Sequence, residues 1–100
     1  APSLSPDGTT VAFASRVSGS WGIYAQRVGG RNATALIDEP DRDESGPAFS
    51  PDGARIAFHE SDDDGGIFVA GATGESVRRV TDIGFHPAWL PDGTQIAFTT

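Results

Sequence analysis

The stretch PAFSPDGARIAF, running from Pro47 to Phe58, decides how this chain is read. Its central phrase occurs three times: LSPDGTTVAF from Leu4 to Phe13, FSPDGARIAF from Phe49 to Phe58, and WLPDGTQIAF from Trp89 to Phe98. Pro-Asp-Gly is turn chemistry, because Pro presets φ, Asp can bond its own backbone, and Gly accepts a positive φ. Val-Ala-Phe or Ile-Ala-Phe follows each turn, and Pro-Ser-Leu, Pro-Ala-Phe or Pro-Ala-Trp precedes it, beginning at Pro2, Pro47 and Pro87. Each phrase therefore reads as strand, turn, strand. A sheet covered on one face only would carry a polar residue where Ala stands between two large apolar ones. The Ala predicts that the second face is covered too, and closely.

The repetition extends past the hairpin. GIYAQRVGG, Gly22 to Gly30, returns 44 residues later as GIFVAGATG, Gly66 to Gly74, and RNATALID (Arg31 to Asp38) answers to ESVRRVTD (Glu75 to Asp82). Each pair adds a third and a fourth strand. Four antiparallel strands in a period of about 40–45 residues are the signature of a β-propeller blade. The expected fold is all-β, a segment of a β-propeller with about two and a half four-stranded blades. Residues 1–45 make the first blade, 46–85 the second, and 86–100 the first hairpin of an incomplete third.

Composition agrees. Hydrophobic residues make up 37% of the 100, enough for a packed domain, and 13 Gly with 7 Pro favour short strands and tight turns. No apolar run approaches the ~18 residues that a membrane-spanning helix needs. There is no Cys, hence no disulfide framework or thiol chemistry. The net charge of −7 has the wrong sign for a protein that tracks a nucleic-acid backbone. The chain opens on Ala1 and holds no Met, which suggests a processed chain or an excerpt of a longer one. An uncovered blade face of roughly 400 Å² would forgo about 10 kcal/mol, as much as a small domain's whole stability. The open blade ends are thus expected to meet the remaining blades of a longer chain, or to self-associate.

The run PAFSPDGARIAF, an Asp/Gly-rich loop, GIFV, a Gly turn and RRVTD together resemble the WD-like "PDG" repeat of the TolB-type propeller family. The first copy departs from the pattern at Gln26 and Arg27 and in Thr34-Ala35-Leu36-Ile37, and the third has Leu90 where Ser is usual. The resemblance implies a propeller from bacteria and a scaffold for protein interaction. The family's namesake is a periplasmic protein that partners a peptidoglycan-associated lipoprotein, and similar repeats occur in signalling proteins and in prolyl-oligopeptidase-like and tricorn-like peptidases. The matched residues are structural, so no catalytic or partner-binding residue carries over.

Chemistry-bearing motifs are sparse. SGSWG, Ser18 to Gly22, lacks the spacing and the strand-to-helix setting of a nucleophile elbow and reads as a polar turn around an anchored Trp21. His59 and His86 stand alone in sequence, too few for a zinc site, and are expected to be structural or solvent-facing. Asp41, Asp43 and Ser45, with Gly46 in sixth place, match the first half of a calcium loop, but the twelfth position is Asp52 of the next turn and not Glu. An acidic linker is the blander alternative. Asn32-Ala33-Thr34 fits a glycosylation sequon that a bacterial chain would not use. No catalytic residue, cofactor or resident metal is expected.

The charges segregate. In an up-and-down blade the Pro-Asp-Gly turns and the Gly turns share one end, while the second-to-third loops and the inter-blade linkers share the other. The latter end is expected to collect Asp38, Glu39, Asp41, Asp43, Glu44, Glu60, Asp62, Asp63, Asp64 and Asp82, ten of the 14 acids, against Arg16 and Arg42. Such a face favours a basic protein partner. The expected function is a non-enzymatic interaction platform in a bacterial envelope or signalling protein, periplasmic or otherwise extracytoplasmic, with a cytoplasmic placement left open. The alternative is the gating propeller of a serine peptidase whose catalytic domain lies outside this chain.

Overall fold

The computed structural model describes residues 2–17, 19–40 and 42–100. Their strands are β1 (Ser3–Leu4), β2 (Thr10–Ser15), β3 (Gly22–Arg27), β4 (Thr34–Ile37), β5 (Glu44–Phe49), β6 (Arg55–Glu60), β7 (Ile67–Gly71), β8 (Arg78–Arg79), β9 (Phe85–Trp89) and β10 (Ile96–Thr99). They form two four-stranded sheets, β1-β2-β3-β4 and β5-β6-β7-β8, and one hairpin of β9 with β10. Every pairing of these strands is between chain neighbours and antiparallel, and an isolated parallel bridge joins Gly65 to Gly84. This is the all-β, two-and-a-half-blade architecture that the repeat predicts. The outer strands β4 and β8 are shorter than RNATALID and ESVRRVTD suggest. Each pairs on one side only, and most of the residues flanking them are exposed.

The three phrases fold into three copies of one turn. The N–H groups of Gly8, Gly53 and Gly93 donate to the carbonyls of Ser5, Ser50 and Leu90, each at 2.9 Å. Those glycines sit at φ 76°, 75° and 74°, which a side chain would strain. Asp7, Asp52 and Asp92 each accept the N–H two residues on at 3.0 Å. In the first two copies the serine hydroxyl also donates to that carboxylate at 2.6 Å and accepts the first N–H of the next strand at 3.0 Å. Leu90 has no hydroxyl, so the third turn keeps only its backbone bonds and the Asp92 cap.

The register then decides what each blade face presents. Ile56 pairs with Ala70, Ala57 with Val69, Phe58 with Phe68, and His59 with Ile67. Alternation sends Ile56, Phe58, Phe68 and Ala70 to one face and Ala57, His59, Ile67 and Val69 to the other. The bulky face joins Ala12, Ile23 and Ile37 of the first sheet in a single core cluster. The smaller face meets the third hairpin, where the Trp89 indole donates to the Ala48 carbonyl at 2.9 Å. Arg55 lies over the Trp89 ring at 4.7 Å and donates to the Gly93 carbonyl at 2.7 Å, clamping the same seam. Each sheet thus sets its bulky face on the small face of the sheet before it. Leu4, Val11, Phe13 and Tyr24 share the outer face of the first sheet.

Ala57 is 0% exposed and sits where one methyl group fits. Ala57→Leu is expected to destabilise the chain by about 1–3 kcal/mol through overpacking. Chemical denaturation measures this, and a variant as stable as wild type would mean that the seam has room to spare.

Candidate docking surface

Among the described residues, the alternation of turns gathers 16–17 and 19–21, 38–40 and 42–43, 61–66 and 80–84 at one end. Hydrogen bonds sew them together. Trp21 N–H donates to Asp43 Oδ1 at 2.9 Å, Glu44 N–H to the Trp21 carbonyl at 2.8 Å, and Ser61 N–H to the Asp43 carbonyl at 2.7 Å. Farther along, Gly66 N–H donates to the Gly84 carbonyl and Gly84 N–H to the Asp64 carbonyl, both at 2.9 Å. Backbone groups make most of these bonds, so the surface holds its shape chiefly through its main chain.

The acids at this end fall into distinct environments. Asp38, Glu39, Asp62, Asp63, Asp64 and Asp82 are exposed. The carboxylates of Asp62, Asp63 and Asp64 accept no hydrogen bond among the described residues. Asp43 is half-buried and occupied by Trp21. Glu60 receives Arg42 at 3.5 Å and Arg79 at 3.8 Å, so Arg79 joins the two arginines that chain order assigns to this end. Asp41 lies outside the described residues. Glu44 corrects the sequence expectation: it opens β5, is 2% exposed, and is no part of the exposed acidic set. Strand β5 begins earlier than the Pro47-Ala48-Phe49 pattern suggests, which turns this side chain into the seam between sheets.

The remaining acids behave differently. At the opposite end Asp7, Asp52, Glu75 and Asp92 are locked into their own turns. The Ser5 hydroxyl, then Thr9, holds Asp7 down at about 2. Ser50 lowers Asp52, Thr73 lowers Glu75, and the Thr94 N–H lowers Asp92. These carboxylates serve the turns, whereas Asp62, Asp63 and Asp64 of the loop end face solvent.

The calcium half-motif does not continue as a loop. Ser45 and Gly46 lie within β5, with Ser45 opposite His59. Among the described residues no group of three or more His, Asp or Glu is placed to hold a metal ion. Ser20 of the SGSWG stretch donates to the Glu39 carbonyl at 3.2 Å, and Ser18 lies outside the described residues. Trp21 is anchored by its backbone, while its ring remains exposed.

The two histidines, distant in sequence, are neighbours in space. Their rings lie 4.8 Å apart, and His86 N–H donates to His59 Nδ1 at 3.0 Å. His59 is buried. Burial, followed by the charge of His86, lowers its pKa to about 4. Gly46 makes the space: at φ +64°, an added Cβ would lie 2.5 Å from His59 Nδ1. Burial raises Glu44 to about 7, with the Glu39 and Glu60 carboxylates adding to it.

Stacked four-stranded meanders with this turn and this face-to-face order define a β-propeller segment that offers a sewn, acidic loop end. The TolB beta propeller domain model matches residues 1–100, and the chain belongs to that family. It is 31% identical over 102 residues to a TolB homolog of Chlorobium luteolum, covering 99% of this chain and 23% of that protein. It is 31% identical over 83 residues to a Tol-Pal system protein TolB of Francisella tularensis, covering 80% of this chain and 19% of that one. The chain thus spans about a fifth to a quarter of the curated relatives it matches. Among solved structures, a putative TolB from Agrobacterium tumefaciens superposes with a TM-score of 0.85 at 28% identity, covering 96% of this chain and 36% of that one. TolB from Acinetobacter baumannii gives 0.78 at 27% identity, covering 98% and 25%.

Glu44 and His59 have opposite linkages to pH. Glu44 holds a proton in the fold that the unfolded chain would release, so its contribution is full below about 4.5 and lost as pH rises through about 7. His59 stays neutral in the fold, so its contribution is full above about 6.5 and lost as pH falls through about 4. The slopes oppose each other in the shared window. Thermal melts from pH 4.5 to 6.5 should show Tm falling toward acid in Glu44→Gln and rising toward acid in His59→Gln, with wild type flatter than either. Slopes of the same sign in both variants would contradict the assignment.

Proposed function

We propose that this chain is a non-enzymatic propeller segment whose acidic loop end docks a basic protein partner, in an extracytoplasmic assembly of the bacterial envelope. The observation that carries the reading is the contrast between the two ends. Turn-end carboxylates are consumed by their own turns, whereas Asp62, Asp63 and Asp64 stand exposed on a backbone-bonded frame. Fixed like charges on a rigid surface raise the local concentration of cationic groups and steer their approach. The Francisella relative is a Tol-Pal system protein, which supports an interaction role for this chain. The relatives named above are TolB proteins, and the gating-propeller alternative draws no support from them.

The test is binding of a lysine-rich peptide probe at low salt. Exposed pairs contribute about 0.2–1 kcal/mol each, so Asp62→Asn, Asp63→Asn and Asp64→Asn together should weaken binding roughly 3- to 100-fold. Glu75→Gln with Asp92→Asn, at the turn end, should change it far less. Equal weakening by both sets, or none by the first, would overturn the proposal.

A further inference from the structure

The proposed docking end contains a buried group that its recognition role does not use. Glu44 is 2% exposed, and its Oε2 is buried with no hydrogen-bond partner. It stands directly opposite Glu60 in the β5–β6 register. From the 38–43 linker it faces the backbone N–H and the carboxylate of Glu39, and Arg42. Asp43, next in the chain, is bound to Trp21 N–H. Arg42 is the one cation that acts on Glu44, but its guanidinium is directed at Glu60, as is that of Arg79 in β8. The β2–β3 loop offers the uncharged Trp21 carbonyl to the Glu44 N–H, and its Arg16 bonds within its own loop to the Gly19 carbonyl. His59 lies one register position away, beside His86 of β9. Among the described residues no cation pairs with Glu44: Arg42 offsets its charge only weakly, and the Glu39 and Glu60 carboxylates oppose it.

A carboxylate in that setting costs far more than a neutral carboxyl, because desolvation and like charge both act against the anion. We propose that Glu44 is a proton-binding site that controls the acidic end: while it holds its proton Asp43 and Glu44 stay bonded to Trp21 and Ser61, and proton loss to solvent loosens that seam. The linker carries Glu39 and Asp43, so proton occupancy sets the geometry that a cationic partner would meet. This deepens the docking reading, yet its test requires no partner.

The experiment is a pH titration from 5.5 to 8.5 followed by NMR, reading the Glu44 side-chain carboxyl carbon and the amides of Trp21, Glu44 and Ser61. In wild type all four should move with one midpoint near 7, while the Gly8 and Gly53 amides stay still. In Glu44→Gln the three amides should lose the transition and keep their low-pH positions. In His86→Asn the transition should persist, which removes the exposed imidazole as its source. A Glu44 carboxyl titrating below pH 5, or an amide transition that survives Glu44→Gln, would overturn the proposal. Loss of peptide binding in the aspartate variants would stand or fall separately.

Discussion

A bulky sheet face lying on an alanine-lined one is the contact on which the rest of this structure depends. Ile56, Phe58 and Phe68 of the second sheet reach Ala12 and Ile23 of the first because Ala12 takes so little space. Ala57 repeats the arrangement toward Trp89. Burying each large side chain contributes about 1.5–3 kcal/mol, and a lone four-stranded meander has nowhere to bury either face. Stability of such a chain is therefore a property of neighbouring pairs of blades rather than of any blade by itself. The order is polar, bulky onto small at every step, so a blade cannot be turned around without breaking both of its seams.

The same up-and-down topology divides the molecule into two kinds of polar surface. At one end the Ser-Pro-Asp-Gly turns close on themselves, and each carboxylate there has internal donors. At the other, backbone bonds between neighbouring loops hold the frame, and the carboxylates of Asp62, Asp63 and Asp64 accept no hydrogen bond among the described residues. Rigidity and available charge thus coexist on one surface, which is what a docking surface needs if it is to avoid ordering itself at the moment of binding. Glu44 lies where this frame meets the inter-sheet seam, so the protonation of one side chain bears on both.

Much of the fold was legible because it is written three times. The Pro-Asp-Gly phrase carries its own turn, and the alternation of Ile56, Ala57 and Phe58 announces two covered faces of unequal depth. The strand order followed from the repeat, and with it the end to which each loop belongs. Burial of Glu44 was not legible, because an acid beside Asp43 in an acidic linker looks like solvent-facing sequence. The available signal lay in the repeat: Glu44 and Gly84 occupy equivalent positions, and both are buried. The histidine pair was hidden by its separation of 27 residues. Its trace is that His86 stands where the preceding copy has Gly46, at a position whose φ is positive in both, 54° and 64°. Arg79 was missed at the acidic end because a short outer strand does not reveal which way its long side chains reach.

Neighbouring blades should stand or fall together, and the two tryptophans allow this to be measured within one molecule. The Trp89 indole N–H is bonded across a blade seam to the Ala48 carbonyl, whereas the Trp21 ring is exposed. Hydrogen exchange by NMR compares both with the backbone amides of β6. The Trp89 indole should be protected to the same free energy as the β6 amides, and the Trp21 indole should exchange freely. Rapid exchange at Trp89 while β6 remains protected would show that the second sheet is stable without its neighbour, and would contradict the account.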